Sequence, residues 1–111
     1  MENNIQIAKV LQTSAVLLPD EADKLFSFVN SYLEKGQMVT LNFENIEDVS
    51  SLFLNSFYGK LFRLYKSQAE HLISISGIDY EHDIFYDMIK RAEFLAKNPR
   101  HNVSSRRLAI A

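Results

Sequence analysis

The sequence predicts an α/β fold, in the form of a small mixed sheet of about four strands with three helices packed on it; an α+β arrangement is the alternative. Two observations support this class. Short β-rich runs alternate with longer runs of helical periodicity, and the intervening helices are long enough for right-handed crossovers between parallel strands. The 111 residues are 47% hydrophobic, with eight Phe and five Tyr, which is enough to fill one core.

Two short apolar runs precede the first clear helix. The runs IQIAKVLQT and SAVLL predict a strand or a hairpin before Pro19. The run PDEADKLFSFVNSYLEKG predicts a helix, because proline suits a first helical turn, early acidic residues favour the positive end of the helix dipole, and Gly36 follows the last turn. The apolar face of this helix consists of Ala22, Leu25, Phe26, Val29, Tyr32 and Leu33.

A strand and a second helix occupy the middle of the chain. The run QMVTLNF is rich in β-forming residues, and helical spacing begins after the serine pair at positions 50 and 51. The apolar side of the helix consists of Leu54, Phe57, Tyr58, Leu61 and Tyr65, and the opposite side of Ser56, Gly59, Lys60, Arg63 and Ser67. We expect the strand to point Val39, Leu41 and Phe43 inward, with Phe57 and Leu61 packed against its sheet.

The last strand and helix are followed by a segment without periodicity. The run HLISISG predicts a strand that ends at Gly77, and DYEHDIFYDMIKRAEFLAK predicts a helix that closes before Asn98 and Pro99. The apolar stripe of that helix consists of Ile84, Phe85, Met88, Ile89, Ala92 and Leu95. Residues 1–97 are therefore predicted to form a single domain, and residues 98–111 a mobile basic tail.

Composition and charge limit the classes of function. The formal net charge is −2 and the pI about 5.9, so no global positive field draws the chain to nucleic acid or an anionic membrane. The absence of Cys excludes disulfides, thiolate metal sites and a cysteine nucleophile. No run approaches the ~20 apolar residues of a membrane helix, and the N-terminus lacks the basic start of a secretory signal. We expect a cytoplasmic protein.

No motif indicates nucleotide binding or metal catalysis. Gly36, Gly59 and Gly77 stand alone, which excludes the clustered glycines of phosphate-binding loops. Gly59 lies inside a predicted helix, where glycine costs about 1 kcal/mol relative to alanine. A close packing contact or an exposed approach surface would explain it. We expect no catalytic residue, cofactor or metal, and a protein that is not an enzyme.

Two alternative functions remain open. The run GIDYEHDIFYD groups four acids and a histidine, which are Asp79, Glu81, His82, Asp83 and Asp87. A small ligand-binding or enzymatic domain would require the carboxylates from Asp79 to Asp87 to converge with His71 or His82, although acids at a helix start are the simpler interpretation. A nucleic-acid accessory protein would use the tail arginines, but no Phe, Tyr or Trp lies between them to stack on bases. These arginines are Arg100, Arg106 and Arg107.

The serine pair has a structural and a regulatory interpretation. Either Ser50 or Ser51 can cap the following helix by accepting a hydrogen bond from a backbone N–H. A hydroxyl at this place also lies where free N–H groups and the helix dipole stabilise negative charge, so the fold would tolerate phosphorylation. From the residues alone, the cap is the favoured interpretation.

The run VTLNFENIEDVSSLFLNSFYGKL resembles the signature of STAS and STAS-like domains, the fold of bacterial anti-sigma factor antagonists. The strand corresponds to Val39, Leu41 and Phe43, the following apolar pair to Ile46 and Val49, and the phosphorylatable serine to Ser51. The sequence is more similar to the uncharacterised STAS-like proteins of bacteria and phages, whose Ser, Phe and Gly positions match Ser50, Phe53 and Gly59. The resemblance spans approximately residues 36–97. Antagonists usually carry an acid before the serine and a glycine after it, where Ser50 and Leu52 stand here.

The resemblance implies a non-enzymatic regulatory module that binds a protein partner, such as an ATPase-like kinase or a sensor protein, in partner switching. It implies that Ser51 is the first candidate for regulatory phosphorylation and Ser50 the second. The surface around the start of this helix would bind the partner. Its candidate residues are Asp48, Ser50, Ser51, Asn55, Ser56, Gly59, Lys60 and Arg63. Neither nucleic acid nor a membrane is an expected partner.

Overall fold

The computed structural model describes residues 2–78 and 84–98. Its elements are β1 (Glu2–Gln6), α1 (Ile7–Leu11), β2 (Ala15–Val16), α2 (Pro19–Leu33), β3 (Met38–Asn42), β4 (Asp48–Val49), α3 (Ser51–Tyr65), α4 (Ala69–Leu72), β5 (Ile73–Ser76) and α5 (Ile84–Lys97). In the described chain, β1 and β5 flank β3 in one parallel sheet, and β2 pairs with β4 in a second parallel sheet. The α/β class is confirmed, with two small parallel sheets in place of one mixed sheet.

The three-stranded sheet has one apolar and one polar face. Ile5 and Leu41 are paired across β1 and β3, and Leu41 is paired with Ile75 of β5; all three pack with the helices in one core. The opposite face carries short polar side chains in two rows, Asn4, Thr40 and Ser74 followed by Gln6, Asn42 and Ser76. The helices therefore cover the apolar face of this sheet.

The residues expected to point inward from the strand and the central helix are confirmed as core residues. Val39, Leu41 and Phe43 are buried, as are Phe57 and Leu61. Phe57 also makes an edge-to-face contact with Phe26 of α2, with ring centroids 6.2 Å apart. Helix α3 packs against both α2 and α5, so it is the central helix of the layer.

The N-terminal region differs from the expected strand or hairpin. β1 is a strand, but residues Ile7–Leu11 form the short helix α1, which ends at Gln12 in the left-handed conformation. Ile5 and Ile7 alternate as in a strand. Ile7 is nevertheless part of α1, where its side chain is buried and where Val10 and Leu11 also pack against the core. Tertiary burial thus overrides the local period. β2 pairs with β4, not with β1, so the hairpin interpretation is wrong.

The last helix is confirmed, with a correction to its apolar stripe. Ile89 and Ala92 are buried, whereas Ile84 is 67% exposed. At 100° per residue, Ile84 lies roughly 110° from the stripe centre that Phe85, Ile89 and Ala92 define. A further short helix, α4, precedes β5, and its buried Ala69 and partly buried Leu72 pack against the core. None of the described helices is long and apolar enough to cross a membrane.

Candidate functional site

Ser50 is the residue that caps α3. Its backbone is extended, and its Oγ accepts a hydrogen bond from the Phe53 N–H at 3.0 Å. The same hydroxyl donates to the carbonyl oxygen of Leu17 at 2.6 Å, and the Ser50 N–H donates to the Val16 carbonyl at 3.1 Å. The cap therefore also ties the start of α3 to the segment that joins β2 to α2.

Ser51 is the first residue of α3 and is exposed. Among the described residues its hydroxyl makes no hydrogen bond, in contrast to that of Ser50. The first turn of α3 contains no acidic residue. A negative group on Ser51 would therefore meet the positive end of the helix dipole without repulsion from a carboxylate in that turn.

Three exposed leucines lie beside this helix start. Leu17, Leu18 and Leu52 are 43%, 58% and 56% exposed, and we call them the leucine patch. The β2–α2 corner that carries two of them is held firmly, because the Glu21 carboxylate accepts hydrogen bonds from the Leu17 N–H at 2.8 Å and the Leu18 N–H at 3.0 Å. The patch thus exposes apolar side chains from two segments near Ser51, and exposed apolar side chains of this kind often mark protein contacts.

The predicted partner-surface residues of α3 spread over its exposed side. Ser51, Asn55, Gly59 and Arg63 recur every four residues and form a row that turns by roughly 40° at each step. Ser56 and Lys60 lie roughly 20° and 60° beyond Arg63, so they continue the same side of the helix.

Lys60 is directed towards α2. Its Nζ lies 2.7 Å from the Asp23 carboxylate and 5.6 Å from the centroid of the Phe26 ring. Lys60 is thereby engaged with α2. Asp48, on β4, is exposed and lies two residues before the cap.

Gly59 lies in an open groove between α3 and α5. A cavity of about 360 Å³ is lined by Asn55, Gly59, Phe62 and Arg63 of α3. The α5 side of this cavity is formed by Ala92, Leu95 and Ala96. A Cβ atom added to Gly59 would meet no atom within 4 Å. The close packing explanation for this glycine is therefore wrong, and an exposed approach surface remains.

A second cavity continues the groove. It encloses about 410 Å³ and shares Phe62 and Ala96 with the first. It reaches Lys66 at the end of α3 and the ion pair between Lys97 and Glu70, whose N···O distance is 2.9 Å. The hydrogen bond and charge of Lys97 lower the pKa of Glu70. We call the two cavities together the α3/α5 groove.

The groups proposed for acid–base or metal chemistry are not assembled in the described part of the chain. The structure does not describe four of these groups, which are Asp79, Glu81, His82 and Asp83. The tail arginines Arg100, Arg106 and Arg107 also lie outside the described residues. His71 is exposed on α4 and Asp87 is exposed on α5. Within residues 2–78 and 84–98, no group of three His, Asp or Glu side chains could hold a metal ion.

Tyr58 is a buried polar residue that the sequence pattern assigns only to the core. Its hydroxyl finds no hydrogen-bond partner among the described residues. Burial, and then the charge of Glu93, raise the pKa of Tyr58 well above the ordinary value of a tyrosine. The side chain is therefore a neutral phenol.

Sequence reasoning missed the leucine patch and the α5 side of the groove. Leu52 carries a weak signal, because it is a large apolar residue off the stripe of α3. Ala92 and Ala96 are small residues one turn apart, which allows an open space opposite Gly59. Neither signal identifies a surface until the helices are placed against each other.

The comparison with protein families agrees with the resemblance. The family described as "STAS-like domain of unknown function (DUF4325)" matches residues 21–82, more than half of the chain. The match runs from the first turn of α2 past β5, and it includes the serine pair and Gly59. No curated protein and no solved structure gives a significant match. The chain belongs to this STAS-like domain family.

Proposed function

We propose that this STAS-like domain is a non-enzymatic regulatory module that binds a protein partner through the surface around the start of α3. One observation carries the proposal: the exposed Ser51 lies at a helix N-terminus beside the exposed leucine patch. Apolar side chains give a partner a surface to bury, and a polar residue within that surface can control the contact.

Regulation is proposed to act at Ser51. The hydroxyl of Ser50 is occupied by the Phe53 N–H and the Leu17 carbonyl, so a phosphate there would remove the donor to Leu17 and disturb the cap. The Ser51 hydroxyl makes neither of these hydrogen bonds in the described structure. Phosphorylation would add about two negative charges at the positive end of α3, which leaves the fold intact and changes the surface.

The proposed partner is an ATPase-like kinase, or a sensor protein, that binds the unmodified surface and is released when Ser51 carries a phosphate. Ser50 and Leu52 stand where antagonists carry an acid and a glycine, so the partner must recognise a different local surface. Leu52 belongs to the leucine patch and supplies such a difference. The enzyme and nucleic-acid hypotheses depend on residues outside the described part and stay predictions.

The test uses the full chain as bait in a lysate of its native cells, with quantitative mass spectrometry of the bound proteins. We compare the wild type with Ser51→Asp and Ser51→Ala, and use Ser27→Asp as a matched charge control on the exposed side of α2. A partner retained by Ser51→Ala and Ser27→Asp, but lost with Ser51→Asp, supports the proposal. Equal recovery with all four baits contradicts it.

A further inference from the structure

The α3/α5 groove combines an apolar floor with a cationic edge. Phe62 and Ala92 are buried at its floor, and Leu95 and Ala96 are half-buried beside them. Such a floor accepts apolar side chains. Because the two cavities share Phe62 and Ala96, the groove is elongated rather than a single closed pocket.

The charges at the edge specify the chemistry of an occupant. Arg63 and Lys66 are exposed, and neither forms an ion pair with any described residue. The third cation, Lys97, is paired with Glu70, the one carboxylate that lines the groove in the described structure. Two uncompensated cations therefore lie on this surface of a chain whose formal net charge is −2. A ligand with carboxylates complements them.

We propose that the α3/α5 groove binds an acidic amphipathic peptide segment of the protein partner; this inference rests on the proposed function for the existence of such a partner. The groove extends along α3 from Asn55 to Lys66, the residue that follows the helix. These residues are 11 positions apart, which corresponds to a length of about 16 Å along the helix axis. A helix of about twelve residues matches that length and presents apolar residues on one face and carboxylates on the other.

Gly59 keeps the groove accessible. A glycine in a helix interior lowers helix stability, and here no neighbouring atom requires the absence of a side chain. Its open space is the place where the backbone of α3 can be approached closely by an occupant. A large side chain at position 59 would occupy that space without a clash inside the domain.

The groove is connected to the regulatory position. Ser51 precedes Asn55 by one helical turn on the same face of α3, so it lies about 6 Å along the axis from the first groove residue. A phosphate on Ser51 would add negative charge at this end and repel an acidic occupant. Release of the partner by modification then has a physical cause.

Two other occupants are less complementary. The segment 99–111 follows α5 and carries Arg100, Arg106 and Arg107, which would oppose Arg63 and Lys66. A second copy of the chain carries the same formal net charge of −2, so two copies repel each other overall. Both occupants are outcomes of the experiment below.

The experiment measures fluorescence anisotropy of a labelled amphipathic peptide of about twelve residues, with leucines at helical spacing and glutamates elsewhere. The control peptide replaces every glutamate with lysine. We expect the acidic peptide to bind the full-length protein more tightly, and Arg63→Glu or Lys66→Glu to weaken it by about tenfold. Lys24→Glu, an exposed charge reversal on α2, should change the affinity by less than about twofold.

A second pair of variants separates binding from folding. Gly59→Leu should block the acidic peptide, whereas Gly59→Ala should leave the protein at least as thermally stable as the wild type. Ser51→Asp should lower the affinity for the acidic peptide. Equal binding of the two peptides, or full binding by Arg63→Glu, overturns the groove proposal.

The alternative occupants have their own readouts. Self-association in sedimentation that Arg63→Glu abolishes would assign the groove to a second copy. A change of the Gly59 amide resonance in Arg106→Glu without peptide would assign it to the tail. Either result overturns the proposal. The two proposals can also fail separately. If the acidic peptide binds the groove as expected but the native partner binds Ser51→Asp as well as the wild type, the proposed switch is contradicted and the groove proposal still stands.

Discussion

Replacement of Ser50 by alanine tests the assignment of the helix cap. The hydroxyl makes two hydrogen bonds, accepting from the Phe53 N–H at 3.0 Å and donating to the Leu17 carbonyl at 2.6 Å. Loss of an N-cap serine costs about 1 kcal/mol. The bond to Leu17 lies at the surface, where water can replace the donor, so we add only about 0.5 kcal/mol for it.

The expected loss for Ser50→Ala is therefore about 1–2 kcal/mol in the free energy of unfolding. For a domain of 111 residues, each kcal/mol lowers Tm by about 4 °C, so the expected fall in Tm is about 4–8 °C. Urea unfolding followed by circular dichroism measures the free energy, and a thermal scan measures Tm. Ser50→Thr keeps the hydroxyl and should restore most of the loss.

Ser51→Ala is the matched control, one residue further along the chain. Ser51 is exposed and its hydroxyl has no hydrogen bond within the described residues, so the variant should change stability by less than about 0.5 kcal/mol. If Ser51→Ala costs as much as Ser50→Ala, or more, the cap assignment and the choice of Ser51 as the free hydroxyl are both wrong.

Three further predictions concern the core and a turn. Phe57→Ala should lower the free energy of unfolding by about 3–5 kcal/mol, because Phe57 is buried against Phe26; a loss below about 1 kcal/mol in urea unfolding would contradict its place in the core. Tyr58→Phe should keep or raise stability by about 1 kcal/mol, because it removes a buried hydroxyl without a partner in the described structure; a clear fall in Tm would show that the hydroxyl is bonded. Gly77→Ala should lower Tm strongly, because Gly77 has φ +78° and an added Cβ would lie 2.7 Å from the Glu44 backbone nitrogen. Gly36→Ala is the control: Gly36 has φ +74°, but no atom lies within 4 Å of an added Cβ, so Tm should fall less.

The elements that the sequence predicts correctly are those with long or sharply bounded patterns. Helix α2 begins at Pro19 and its buried residues recur at helical spacing, and β3 follows Gly36 as a short β-rich run. Helix α1 has five residues, which is too short to show a helical period, and the alternation of Ile5 and Ile7 points to a strand instead. Burial of Ile7 by the rest of the fold decides its conformation.

The candidate site could be predicted only in part. The adjacent serines both suit a cap, and the choice of Ser50 depends on the Leu17 carbonyl, which the pairing of β2 with β4 brings to it. The position of Gly59 on α3 is visible in the sequence, but its surroundings depend on where α5 packs. Local periodicity reports which face of a helix is apolar and not which helix lies opposite.

One side of α3 contributes no side chain to the core. It carries Ser51, Asn55, Gly59 and Arg63. Phe57 and Leu61 supply the burial on the other side, so substitutions on the open face can be chosen for binding without loss of the fold. Gly59 is informative because it acts against helix stability by about 1 kcal/mol and no packing contact explains it. A glycine at an open surface leaves room for an occupant to approach the backbone closely. Ser51 and Arg63, at the two ends of this face, then give it a position for added negative charge and a positive charge that an acidic partner would meet.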